Sequence, residues 1–231
     1  MPRRRSAKSK LPEPPSGSIL QVKVRLLDVS PMVWRRLLVP ASYKLEELHG
    51  VLQVAMGWEG IHLYRFQIRA VHYSSFDLCV SSPRVPLDDL RFRMGAKFTY
   101  DYDMGDFWRH EIRVEERLEP EPGRSYPVCL DGVHACPPED CGGPEGYAAR
   151  RDEAVGFDAL DDLATLVELA EAIVAGKQAG LPGDPEACWE LEEVVDRIKA
   201  RQPFLAESFS RRAVNARLRQ DEHRVLMHQQ F

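Results

Sequence analysis

Residues 97–114 read KFTYDYDMGDFWRHEIRV, and this stretch decides the fold. Three aromatic side chains alternate with polar residues on the way in: Phe98, Tyr100 and Tyr102. The segment Asp103-Met104-Gly105-Asp106 is rich in turn-forming residues, and apolar or aromatic side chains then alternate with charged ones from Trp108 to Val114. A period of two on both sides of a turn predicts a β-hairpin with one buried face.

Three further strands and one helix are predicted upstream of this hairpin. Apolar and polar residues alternate over residues 19–26 and again over 64–68, and a third strand spans 33–39 before a proline. Between them, leucines at helical spacing predict a helix with Ser42 as its N-cap and Gly57 after its last turn.

The pattern changes downstream of the hairpin. Residues 119–147 are dominated by Pro, Gly and Cys. This segment is longer than an ordinary connection between two elements, which marks it as a candidate functional segment. Apolar residues then recur at helical spacing from Asp158 to Gly176 and from Trp189 to Ile198. Strands first and helices last predict an α+β fold, with a mostly antiparallel sheet, helices packed on one face and a helical C-terminal region.

Charge divides the 231 residues into three parts. Residues 1–18 carry +4 and are predicted to form a disordered basic tail, and residues 201–231 carry +3 and are predicted to form a basic helical extension. Because the net charge of the whole chain is −5, the α+β domain at 19–200 carries a net charge of −12. Because an acidic body repels phosphate, nucleic-acid binding is expected only through the two basic ends. The competing interpretation is that these ends are solvated tails without a binding role.

The sequence also indicates a compartment. No apolar run approaches the ~20 residues that cross a bilayer, and no secretory signal is present, so a cytoplasmic protein without a membrane partner is predicted. Five cysteines, an odd number, favour reduced thiols or a metal site over a disulfide framework.

Cysteines in the long segment could hold zinc. Cys129, Cys136 and Cys141 provide three soft thiolate ligands, and a tetrahedral structural site needs a fourth. His110 is the fourth ligand we predict, with His134 and His62 as alternatives. The spacings do not match paired zinc knuckles, so three reduced thiols that bind no metal are the competing interpretation.

A second candidate site consists of acid–base groups near the hairpin: His62, Asp103, Asp106, His110, Glu139 and Asp140. Such groups could bind a divalent metal for phosphoryl chemistry. The competing interpretation is structural, with the aspartates forming the turn and His110 a hydrogen-bonded core residue. A calcium loop is excluded, because Asp106 and Ile112 stand where Gly and Glu are needed. No known catalytic motif is present, which favours a protein that is not an enzyme.

Trp34-Arg35-Arg36 is a third candidate, for binding an anion or stacking on a base. The commoner arrangement for such a strand turns the tryptophan ring inward and one arginine toward solvent.

Several segments together resemble the plasmid pRiA4b ORF-3-like family. They are Pro31 to Arg36, Leu48-His49, Met56-Gly57-Trp58, Tyr102 to His110, Cys129 to Gly132 and Ala135 to Tyr147. The resemblance runs from about Leu20 to Ile198. It implies an α+β domain of bacterial and archaeal proteins, often linked with mobile elements and without an established catalytic activity.

Two functions follow as hypotheses. The first is a binding or accessory module that acts through a protein partner or a DNA-processing system, with a structural metal in the cysteine segment. The alternative is a metal-dependent hydrolase acting on phosphoesters or nucleic acid. It requires the acid–base groups near the hairpin to converge beside a pocket.

Overall fold

A computed structural model describes residues 17–74, 81–174, 185–205 and 208–228. Residues 1–16, most of the tail predicted to be disordered, lie outside the described residues. The strands are β1 (Ile19–Leu26), β2 (Trp34–Pro40), β3 (Tyr64–Ile68), β4 (Val71–Ser74), β5 (Lys97–Tyr102), β6 (Trp108–Leu118) and β7 (Val128–Val133). The helices are α1 (Leu45–Met56), α2 (Gly143–Ala154), α3 (Phe157–Val174), α4 (Pro185–Arg201), α5 (Arg211–Arg219) and α6 (Glu222–Leu226), and a 3₁₀ turn spans Gln202–Phe204.

All seven strands form one sheet in the order β4-β3-β5-β6-β1-β2-β7, and every neighbouring pair is antiparallel. The predicted hairpin lies near its centre, with Tyr102 opposite Trp108 and Phe98 opposite Ile112. The described helices other than α1 follow the strands in sequence. The predicted α+β class is confirmed.

Helix α1 lies on the inner face of this sheet. Its side chains Leu48, His49 and Leu52 are buried, and the His49 ring stacks on Tyr64 with 3.8 Å between centroids. Alternation along each strand sends the aromatic and aliphatic residues to this face, where they form one core with α1. Gly57 ends the helix in the left-handed conformation that glycine adopts readily, at φ 96°.

The other face of the sheet, which we call the open face, is covered by charged side chains. Its basic residues are Lys23, Arg25, Arg36, Arg65, Lys97, Arg109 and Arg113, and its acidic residues are Asp101, Glu111, Glu115, Glu116 and Asp131. Ion pairs join several of them across strands, as between Asp101 and Arg65 at 2.7 Å. In the described part of the chain no helix packs on this face, so the sheet is solvated on one side.

Trp34 and Arg35 are reversed relative to the commoner arrangement for such a strand. The Trp34 ring lies on the open face with the Lys23 ammonium 4.5 Å from its centroid. Arg35 points inward, is only 2% exposed, and donates to the carbonyls of Ala55 and Val133. Its guanidinium stacks on Phe209 at 4.1 Å. Three separate segments of chain are therefore tied to one buried arginine.

Three local features differ from what the sequence predicted. Lys44 rather than Ser42 is the N-cap of α1, and its amide donates to Glu47. Strand β4 was not predicted, and strand β7 lies within the segment 119–147 that we predicted to be a long connection. Helix α2 begins at the end of the same cysteine-containing segment, with a proline in its first turn.

Helix α3 keeps most of its apolar side chains in solvent. Leu160, Leu163 and Val167 are each more than half exposed, although their helical spacing predicted an apolar packing face. The helix packs on α4 and α2 rather than on the sheet, which leaves this stripe uncovered by any described residue. Within the described residues, none of the helices has the length and hydrophobicity that a membrane span requires.

Candidate metal centre

A histidine and two aspartates meet at one end of the central strands. One ligand atom from each of His62, Asp103 and Asp140 lies within 4.8 Å of the others. The Nε2 atom of His62 is 2.9 Å from an Asp140 carboxylate oxygen and 3.8 Å from an Asp103 oxygen. Among the described residues, no other group of three His, Cys, Asp or Glu side chains meets this criterion.

The hairpin turn positions the first two residues. Asp103 follows the last residue of β5 and has φ 57°, a left-handed conformation that aspartate tolerates. Its amide donates to Leu63 O at 2.9 Å, which places the turn beside the residue that follows His62. One Asp103 oxygen accepts from the Gly105 amide at 2.8 Å, so the carboxylate is held in place while the other oxygen faces His62.

Two tryptophans hold the third residue's loop over the hairpin. The indole of Trp58 donates to Pro137 O at 2.9 Å, and that of Trp108 donates to Glu139 O at 3.0 Å. Both indole groups are buried in the core, so these bonds fix the loop on its core side. Asp140 of this loop then lies within hydrogen-bond distance of His62.

Asp106 fastens the same loop from the turn. One of its carboxylate oxygens accepts from the amides of Cys141 and Gly142, at 3.1 and 2.9 Å. A side chain at Gly143 would meet the backbone of Asp106, because an added Cβ would lie 2.3 Å from its carbonyl oxygen. Asp106 therefore positions the loop and does not join the three ligands.

Glu139 lies next to the cluster and has its own partners. The phenol of Tyr102 donates to one of its oxygens in a short contact, and the Glu59 amide donates to the other at 2.8 Å. Burial, together with the Glu139 carboxylate, raises the pKa of Tyr102 well above its ordinary value, so the phenol keeps its proton.

Negative charge is in excess at this end of the molecule. Asp103, Glu139 and Asp140 have no lysine or arginine nitrogen within 4.0 Å among the described residues. Asp103 is only 7% exposed, and burying a carboxylate without a cation is costly. The local charge therefore favours a bound cation.

A cavity of about 790 Å³ opens beside the cluster, and its wall includes Trp58, Glu59, Glu139, Asp140 and Pro203. Asp140 belongs both to the cavity wall and to the ligand group. His62 and Asp103 do not line the cavity, so Asp140 alone connects it with the candidate cation position.

His110 lies elsewhere, in the core. It is fully buried, its ring meets Trp58 edge-on at 5.4 Å, and burial lowers its pKa to about 4. Its Nδ1 lies 3.2 Å from the carbonyl oxygen of Tyr100. The six acid–base candidates thus divide into three that converge, two that position the loop or flank the cluster, and one core histidine.

The predicted zinc thiols are not gathered in the same way. No group of three ligands that includes Cys129, Cys136 or Cys141 meets the distance criterion among the described residues. All three are free, and burial raises the pKa of Cys129 and that of Cys141 to about 11 and raises that of Cys136 further. Zinc binding by these thiols stays a prediction.

Comparisons with known proteins place the chain in a family. The family model "Plasmid pRiA4b ORF-3-like protein" matches residues 18–155. The uncharacterized protein y4hQ of Sinorhizobium fredii is 43% identical over 137 residues, which cover 57% of this chain and 70% of that protein. The crystal structure of MM3350 from Methanosarcina mazei Go1, a protein of unknown function, superposes with a TM-score of 0.58 at 29% identity, over 63% of this chain and 86% of the other.

The residues that the family model matches include the whole sheet, α1 and the loop that carries Asp140. The chain belongs to the plasmid pRiA4b ORF-3-like family.

Proposed function

We propose that this protein is a metal-dependent hydrolase of phosphoesters, with His62, Asp103 and Asp140 as the ligands of a divalent cation. The observation that carries the proposal is the convergence of these three side chains beside a cavity. The sequence-based condition for an enzyme was that six acid–base groups converge; three of them do, and His110 lies apart in the core.

The donor set suits a cation with mixed nitrogen and oxygen ligands, such as Mn²⁺ or Zn²⁺. Three protein ligands leave coordination positions open, as catalytic sites do and closed structural sites do not. Such a cation, when bound, polarises a phosphoryl oxygen and lowers the pKa of a bound water.

The chain's own groups have separate roles in this proposal. Asp103, buried and held by the turn, supplies a fixed carboxylate oxygen, and His62 supplies a ring nitrogen. Glu139 is held by Tyr102 and Glu59 at the cavity wall, where its carboxylate can orient a water molecule. Among the residues that the structure describes, no arginine or lysine lines this cavity, so recognition of a phosphate there depends on the cation.

Elemental analysis of protein purified without chelators tests the site directly. We expect about one equivalent of metal per chain, lost in Asp103→Asn, because this change removes one ligand's charge while it keeps the side chain's shape. Asp152→Asn is the matched control, since Asp152 is exposed on α2 and pairs with Arg151. Hydrolysis of bis-p-nitrophenyl phosphate should follow the metal content.

Cys136→Ser separates this site from the zinc thiols. Under the proposal this variant keeps its metal and Asp103→Asn loses it. The reverse result would establish the cysteine segment as the metal site. Absence of metal from the wild type, even after incubation with Mn²⁺ or Zn²⁺, would remove both.

A second function is favoured by a different observation. The exposed stripe Leu160, Leu163 and Val167 on α3 is typical of a surface that contacts another protein. It supports the accessory-module hypothesis, in which the chain acts with a protein partner. A link to a mobile-element or DNA-processing system remains part of that hypothesis.

A further inference from the structure

Four basic residues form a straight row across the open face. Lys97 of β5 lies opposite Arg113 of β6, Arg113 lies opposite Lys23 of β1, and Lys23 lies opposite Arg36 of β2. Since neighbouring strands are about 4.8 Å apart, the row is roughly 14 Å long. It crosses four adjacent strands without an acidic residue and ends at Asp131 of β7, which lies opposite Arg36.

Such a row is unfavourable for the sheet itself. Like charges placed directly opposite each other on neighbouring strands destabilise their pairing. Two members are compensated by acids outside the row, Lys97 by Glu111 at 3.0 Å and Arg36 by Glu115 at 2.7 Å. Among the described residues, Lys23 and Arg113 have no carboxylate within 4.0 Å. Lys23 is instead held by the Trp34 ring and helps to lower the pKa of Glu115, whereas Arg113 is exposed to solvent.

An aromatic ring lies directly beside the row. Trp34 is half-buried on the open face, and the Lys23 ammonium and the Arg36 guanidinium lie 4.5 and 5.4 Å from its ring centroid. Proteins that bind single-stranded nucleic acid combine two features. Cations follow the phosphate backbone, and a neighbouring aromatic ring stacks on a base. In a duplex the faces of the bases are hidden, so the ring would have no role.

We propose that the open face binds single-stranded nucleic acid, with Lys97, Arg113, Lys23 and Arg36 contacting phosphates and Trp34 contacting a base. This differs from the expectation that an acidic body confines nucleic acid to the basic ends. The negative charge of residues 19–200 is compatible with a basic surface because strand alternation and register collect these cations on one face. Binding here does not require the candidate metal centre.

Salt dependence of binding tests the row. The probe is a fluorescein-labelled oligothymidylate of about 16 nucleotides, followed by anisotropy with EDTA present, so that the metal centre does not contribute. Four phosphate contacts on a single strand predict about 50-fold weaker binding at 200 mM than at 50 mM salt. The double variant Lys23→Gln/Arg113→Gln, with two contacts left, should lose only about sevenfold over the same range.

Arg212→Gln/Arg219→Gln is the matched control, because both residues are exposed on α5 and the change in net charge is the same. We expect this variant to keep the wild-type salt dependence. Trp34→Leu should weaken binding at least about fivefold at fixed salt and leave the salt dependence unchanged. Circular dichroism of each variant confirms that the sheet is intact.

Three outcomes would overturn the proposal. One is no salt-dependent binding by the wild type at 50 mM salt. Another is loss of binding in the α5 control with retention in the sheet variant, which would assign binding to the basic C-terminal extension. The third is equal affinity for a duplex of the same length, unaffected by Trp34→Leu. Failure of phosphoester hydrolysis would bear on the metal centre alone.

Discussion

At the scale of the residue, two histidines are enclosed by the aromatic core. His49 is fully buried, its Nδ1 lies 2.7 Å from the Tyr100 hydroxyl, and burial lowers its pKa to about 3. Burial likewise lowers the pKa of His110 to about 4. Both rings are therefore neutral near pH 7, and protonating either would place an uncompensated cation in the core.

This predicts acid-sensitive stability. Below pH 6.5, the ordinary histidine value, the unfolded chain takes up protons that the folded chain does not bind. The contribution of each ring is complete above pH 6.5 and is lost as the pH falls toward the folded pKa. The loss is about 1.4 kcal/mol per pH unit for each histidine. Urea unfolding at a series of pH values measures it.

His49→Asn should reduce that slope by about 1.4 kcal/mol per pH unit between pH 6.5 and 4, whatever it does to stability at neutral pH. His134→Asn is the control, since His134 is exposed. An unchanged slope in His49→Asn would show that this ring is protonated in the folded protein.

At the scale of the element, α1 is packed on both sides. One side meets the sheet, and the other meets α6 so closely that Gly50 touches the backbone of the last helix. A Cβ added at Gly50 would lie 1.9 Å from the carbonyl oxygen of His223. Only a residue without a side chain fits between the two helices at this point.

Gly50→Ala is therefore expected to destabilise the protein by about 1–3 kcal/mol, because α6 must move away. Helix propensity alone predicts the opposite sign, since alanine is favoured over glycine in a helix interior by about 1 kcal/mol. Thermal unfolding gives the sign directly. A higher melting temperature in Gly50→Ala would contradict the close approach of α6.

Strand β7 lies at the edge of the sheet and is protected by a neighbouring helix. Strand β7 ends the sheet, and Asn215 of α5 accepts from the Cys129 amide and donates to the Cys129 carbonyl, both at 2.8 Å. The side-chain amide thus replaces a missing strand at that position and blunts the edge for pairing with another chain.

At the scale of the whole molecule, the C-terminal extension is part of the core. Val214, Leu218 and Leu226 are buried against the same cluster as the sheet and α1. Helices α5 and α6 of this extension cover the side of α1 that faces away from the sheet.

We therefore expect α5 and α6 to unfold together with the sheet in one transition. Leu218→Ala removes a side chain that is 2% exposed and should cost about 2–5 kcal/mol. Val225→Ala, at a position 59% exposed, is the control and should change stability by less than about 0.5 kcal/mol. Urea unfolding, followed by circular dichroism and tryptophan fluorescence, measures both. Separate transitions by the two probes would show that the extension folds independently.

Strands and helix ends that are marked by a pattern of neighbouring residues could be predicted from the sequence. The hairpin, β1, β3 and the end of α1 at Gly57 follow from alternation, turn residues and a left-handed glycine, all of which act over a few neighbouring residues. Segments without such a signal were missed. Strand β7 is short, lies among prolines and glycines, and forms because β2 and α5 supply its partners.

The grouping of the candidate residues depends on tertiary contacts that no local pattern encodes. His62, Asp103 and Asp140 lie far apart in sequence, and a hydrogen bond between the turn and β3 and two buried indoles bring them within reach of one another. The basic row depends likewise on the register of four strands. Register and long-range hydrogen bonds join residues distant in sequence, so the local periodicity of the chain carries no record of them.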